Sequence, residues 1–143
     1  GGTVVTTRQG PTMPEYRTEL FGELIYSPDN SYEDLLPLEE DLMSHATEKL
    51  EAAKAHFIHI ESEGDRTFFQ CVFREFGEEL FASVAKSLAV KTDGQVECKL
   101  FFVDKELSSV YFYALSKGRL KANKVALPVS GPIDKTLQDA AAS

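Results

Sequence analysis

The sequence predicts an α+β fold: a ferredoxin-like plait of βαββαβ order with an added edge strand and a short C-terminal helix. Three observations carry that expectation. Segments whose apolar residues recur every second position alternate with segments of helical period, in the order strand, helix, strand, strand, helix, strand, strand, helix. Turn-forming residues separate most of these segments. The chain has 143 residues, 43% of them hydrophobic and 27% charged, so one domain can bury an adequate core without disulfide or metal staples.

The first strand is read over Tyr16 to Ser27, where Leu20, Gly22, Leu24 and Tyr26 alternate with Phe21, Glu23 and Ile25 and the run stops at Pro28-Asp29-Asn30. Ser31 and Asp34 resemble a capping box, but Pro37 has no N–H for a helix interior. The expectation is therefore a short turn at 31–35, then a helix with Pro37 in its first turn and Glu39, Glu40 and Asp41 at its positive end. His56–Ser62 and Thr67–Arg74 read as a hairpin joined at Glu63-Gly64-Asp65, with Phe69, Cys71 and Phe73 on the core face. Glu75–Ala89 has helical period, with Phe76, Leu80, Val84 and Leu88 on one side, and Gly94 is suited to the turn after it. Gln95–Val103 and Val110–Leu115 read as further strands, the second marked by its β-branched and aromatic content. Residues 117–124 read as a basic loop, and Val125–Val129 as an extended edge limited by Pro128. Gly131-Pro132 opens the final helix, where Ile133, Leu137 and Ala141 share a side.

Residues 15–143 are expected to form a single α+β domain. Residues 1–14, with Gly10, Pro11 and Pro14 among Thr and Val, are expected to be a mobile N-terminal segment. The chain opens on Gly-Gly rather than Met, as a processed end, an internal boundary or a cloning remnant would, with Met13 a candidate natural start. No run approaches the roughly 20 apolar residues of a membrane span, and the first residues lack the pattern of a signal peptide. The expected location is cytoplasmic, with no membrane contact.

Charge is polarised along the chain. The formal net charge is −8. From Asp29 to Glu79 there are 14 carboxylates against Lys49, Lys54, Arg66 and Arg74, a balance of −10. From Lys105 to Lys124 the sign reverses: Lys105, Lys117, Arg119, Lys121 and Lys124 against Glu106 alone give +4. Such a surface repels nucleic acid over most of its area and attracts cationic partners. The aromatic strands also lack the basic-Gly-aromatic pattern of RNA-binding plaits, so no nucleic-acid partner is expected.

Chemistry-bearing motifs are sparse. Cys71 and Cys98 lie on core-facing stripes with no Cys or His at metal-ligand spacing, and are read as free packing thiols. His56 and His59, three apart on a strand, are expected on opposite faces, which defeats joint metal binding. His59 and Glu61 share a face, as a base and its orienting carboxylate would, but no nucleophile or oxyanion site accompanies them. His45 is placed on the solvated flank of the first helix. The acidic run has no EF-hand spacing, and no phosphate loop is present. No catalytic residue, metal or cofactor is therefore assigned.

The functional expectation is a non-enzymatic protein-binding module of the acidic chaperone, immunity or regulatory-subunit type, an analogy of size and charge. Its partner-binding residues are Phe68, Val72, Phe101, Tyr111 and Tyr113 on the sheet face that the helices leave open, with Glu39, Glu40 and Asp41 on the acidic helical flank. The partner is a basic protein or a second copy forming a homodimer, and the chain's own C-terminal segment is the other candidate cover for the apolar sheet face. Lys117, Arg119, Lys121 and Lys124 form a candidate anion-binding loop. The alternative is a small-ligand or enzymatic pocket around His59, Glu61, Tyr111, Tyr113 and Arg119.

Overall fold

The computed structural model describes residues 16–126 and has eight elements: β1 (Thr18–Tyr26), α1 (Tyr32–Ala52), β2 (His56–Glu63), β3 (Arg66–Phe73), α2 (Glu78–Ala89), β4 (Val96–Asp104), β5 (Ser109–Ser116) and β6 (Arg119–Ala126). The protein is α+β, with one six-stranded sheet in the order β2-β3-β1-β4-β5-β6, every neighbouring pair antiparallel. The N-terminal segment read as mobile and the helix expected after Gly131-Pro132 lie outside the described residues.

Both helices pack on one face of the sheet, because that face carries the unbroken apolar stripe. Leu20, Leu24 and Tyr26 of β1, Phe69, Cys71 and Phe73 of β3, Leu100 and Phe102 of β4, and Tyr111, Tyr113 and Leu115 of β5 are buried there. Leu42, Ala46 and Leu50 from α1 and Phe81, Val84, Ala85 and Leu88 from α2 close the core. At its centre the Phe81 ring stacks on Phe102 with centroids 4.3 Å apart and meets Tyr111 edge-on at 5.0 Å. β1 lends Gly22 to this face at the point where the Phe69 ring from β3 lies across the backbone. A Cβ on Gly22 would fall 2.1 Å from that ring.

Two expected features are corrected. Helix α1 is continuous through Pro37 instead of starting beside it. Ser31 caps it, accepting from the Asp34 N–H at 3.2 Å and donating to the Asp34 carboxylate at 2.9 Å. Proline removes one bond, to the Glu33 carbonyl, but Leu35 and Leu38 on either side of it pack on the core and hold the first turns in place. The basic segment is not a loop: Lys117 and Gly118 alone turn the chain, both with positive φ (53° and 72°), and Arg119–Ala126 pairs with β5 as the edge strand. Gly118 N–H donates to the Thr92 carbonyl at 2.7 Å, tying this turn to the segment after α2.

The end of α1 holds a Schellman arrangement, Lys54 N–H to Glu51 carbonyl and Ala55 N–H to Leu50 carbonyl, both at 2.9 Å. Its left-handed residue is Lys54, φ 66°, where glycine is the usual occupant. Lys54→Gly is therefore expected to raise unfolding free energy by about 1 kcal/mol, read as a higher urea midpoint at unchanged slope.

Candidate functional site

Strand alternation and register fix what the sheet face opposite the helices presents, a face that no other described residue covers. Across the six strands His59, Gln70, Phe21, Phe101, Phe112 and Asn123 stand in one row. The next row holds Glu61, Phe68, Glu23, Lys99, Ala114 and Lys121. Phe101 stacks on Phe112 at 4.7 Å and lies 6.2 Å from Phe21, so three phenyl rings form a continuous apolar bar over the central strands. Phe21 and Phe112 remain 40% and 42% exposed, although each is flanked by strands that could have carried polar residues there. Phe68, Val72, Val103 and Ile25, half-buried, surround the bar.

Of the partner-binding residues read from sequence, the structure brings Phe68, Val72 and Phe101 together on this face. Tyr111 and Tyr113 are corrected: they pair with Phe102 and Leu100 and sit in the core under α2, 7% and 5% exposed. Burial pushes the Tyr113 phenol above its ordinary pKa, with Glu78 and Tyr111 adding to the shift. The residues missed were Phe21 and Phe112. Glu39, Glu40 and Asp41 lie on α1, on the helical side of the sheet, so one flat contact cannot engage both them and the open face. Asp41 pairs with Lys91 at 3.3 Å.

The alternative pocket does not assemble. His59 and Glu61 occupy edge strand β2, their side chains 3.9 Å apart and well exposed. Arg119 stands on β6 at the far edge, roughly 24 Å away at the usual strand spacing, and the two tyrosines face the other side. The four basic residues also separate: Lys117 is in the turn, Arg119 and Lys121 face the open side, and Lys124 lies over the Tyr111 ring at 5.4 Å on the covered side. Strand alternation, which a loop would not impose, parts them.

The histidines also differ from expectation. A register shift between His56 and His59, where Phe57 has φ 54°, sets His56 opposite Val72 and His59 opposite Gln70, on one face rather than two. His45 is not a free surface residue. Its Nε2 donates to the Ser87 carbonyl at 3.0 Å, linking α1 to α2. Cys71 and Cys98 are buried as expected, and β1 lies between their strands, so they do not meet. Among the described residues no group of three His, Cys, Asp or Glu side chains could hold a metal ion, and no helix is long and apolar enough to cross a membrane.

A further concavity, a cleft of about 620 Å³, lies between the end of α1 and the β2–β3 pair. Lys54, His56 and Arg74 line it together with Glu51, Glu75, Phe73 and Leu80. Beside it Tyr16 packs on His56 and Phe57, with the Arg74 guanidinium 5.5 Å above its ring. No protein-family model matches the chain, and no curated protein matches it significantly.

Proposed function

We propose that this protein is a non-enzymatic, cytoplasmic protein-binding module that works through the open face of its sheet, in the manner of a small acidic chaperone, immunity protein or regulatory subunit. The observation that carries the reading is the phenyl bar of Phe21, Phe101 and Phe112. A monomer that needed nothing on this face would place polar residues there, as one-sided antiparallel sheets ordinarily do. The core topology is proposed to be a ferredoxin-like plait extended by the β5–β6 hairpin. The order β2-β3-β1-β4 and the placement of both helices on one side support it. The acidic flank of α1 serves encounter with cationic partners rather than the contact itself.

The experiment is a solution-mass measurement combined with apolar-dye binding. The full chain is expected either to associate or to bind dye, and Phe21→Glu with Phe112→Glu, both at exposed positions, to abolish whichever is seen. A chain that is monomeric at high concentration and binds no dye overturns the reading.

A second reading rests on the cleft beside His56, whose volume is that of a small-ligand site and whose lining sets Lys54 and Arg74 against Glu51 and Glu75, as a polar or zwitterionic metabolite would require. Ligand-induced thermal stabilisation that Arg74→Ala removes would establish it. An empty metabolite screen would dismiss it.

A further inference from the structure

We infer that the partner of the open face is a second copy of this chain, docked face to face about a two-fold axis that runs along the strands between β1 and β4. The inference rests on the proposed role of that face and names its occupant.

The charges on the face are divided by strand. On the β2-β3-β1 half stand Glu19, Glu23, Glu61 and Glu63 with Arg66. Within the chain Arg66 pairs with Glu23 at 3.0 Å and Lys105 with Glu19 at 3.7 Å, so the edge acids Glu61 and Glu63 carry most of the complementarity. On the β4-β5-β6 half stand Lys99, Lys121 and Arg119 with Glu97. Glu61 and Lys121 belong to the same cross-strand row but to opposite edges, roughly 24 Å apart, several times the screening length in physiological salt. Within one chain they cannot neutralise each other. A rotation about an axis parallel to the strands lays β2 of one copy over β6 of the other and β1 over β4. Glu61 then faces Lys121 of the second copy, Glu63 faces Arg119, Glu23 faces Lys99, and the Phe21 ring meets Phe101. The same four contacts recur by symmetry, as an isologous interface requires. The alternative axis, across the strands, would set β2 on β2 and acid on acid.

Area and edges agree with this choice. Six strands about 4.8 Å apart and about 8 residues long give a footprint of roughly 650 Å² per copy, so full overlap buries about 1,300 Å² in the pair, at the lower end of specific protein–protein interfaces. Edge-to-edge growth of the sheet is disfavoured at both ends, by the bulge in β2 and by Arg119, Lys121 and Lys124 on β6.

The test uses two single variants of the full chain, Glu61→Lys and Lys121→Glu, both at exposed edge positions, with helical and strand content checked by circular dichroism. By sedimentation equilibrium at low salt the unmodified chain is expected to dimerise. Each variant alone should weaken that dimer by about tenfold or more, because symmetry repeats the repulsion. An equimolar mixture of the two should dimerise again, since the first carries only cations at these positions and the second only carboxylates. Variants that dissociate but fail to rescue one another overturn the proposed axis. A monomeric chain whose dye binding still depends on Phe21 and Phe112 overturns self-association while leaving the face as a site for a different protein. A monomer without dye binding removes both readings.

Discussion

Gly22→Ala is expected to lower unfolding free energy by about 3 kcal/mol and the melting temperature by about 10 °C. Three carbons of the Phe69 ring would lie 2.1, 2.2 and 2.6 Å from the new methyl, inside any tolerable contact. The ring is 3% exposed and lies across β1 in the core, so it cannot swing into solvent without leaving a cavity behind. Glycine in a strand normally weakens it, and alanine would be the better residue on backbone grounds alone. Here the close approach of an aromatic from the neighbouring strand reverses that preference. The diagnostic is a double-mutant cycle. In a Phe69→Ala background the same change should cost less than about 1 kcal/mol, giving a coupling of about 2 kcal/mol or more. Equal costs in the two backgrounds would refute the packing of Phe69 over Gly22.

How far the sequence discloses this fold depends on whether one parity of each strand is distinct from the other. In β1 and β3 it is distinct enough: Leu20, Leu24 and Tyr26 alternate with a parity that holds Glu19 and Glu23 beside Phe21 and Ile25, and Phe69, Cys71 and Phe73 with one that holds Gln70 and Arg74 beside Phe68 and Val72. Their core faces could be read directly. In β5 both parities are apolar, Val110, Phe112 and Ala114 against Tyr111, Tyr113 and Leu115, so composition cannot say which set faces the helices. Pairing with β4 decides it, setting Tyr111 beside Phe102 and Phe112 beside Phe101. Sequence alone therefore sets the two tyrosines on the binding face and gives no sign of Phe112 there. β6 was hidden for a different reason. Lys, Ala and Asn are poor strand formers, and the segment is a strand because the Lys117-Gly118 turn returns it along β5, where backbone bonds hold it. A two-residue turn ending in glycine was the available signal. The shared face of His56 and His59 had none, since it depends on a left-handed Phe57 that sequence gives no reason to expect.

The candidate site follows the same logic. The Phe21-Phe101-Phe112 bar exists only once β1, β4 and β5 are neighbours, and no local motif announces it. The charge division across the sheet was partly visible as an acidic first half and a basic later segment. Its meaning required the strand order, which carries sequence-distant β2 and β6 to opposite edges.

Raising the pH should unfold this protein through its two buried thiols. Burial is the main cause in both cases, with Glu19 reinforcing it for Cys71 and Glu23 for Cys98, and each thiol is pushed up from 9.0 to about 12. In the unfolded chain each proton leaves near the lower value, whereas the native state keeps both until near the upper one. Between those limits the unfolded state binds fewer protons, so stability must fall as pH rises, while below the lower value the full stability is present. The slope is about 1.4 kcal/mol per pH unit for each thiol, roughly 5 kcal/mol for the pair by about pH 11. Lysines and tyrosines also titrate in this range, and a variant with Cys71→Ala and Cys98→Ala separates their contribution. Its urea midpoint should start lower near neutrality, because two core side chains have been trimmed, and then decline more slowly, so that the two curves converge or cross as the pH rises. Parallel curves would show that the thiols titrate alike in both states. The same burial makes both cysteines unreactive toward an aromatic disulfide reagent until the chain opens, so at saturating reagent the rate of their modification should equal the rate of opening.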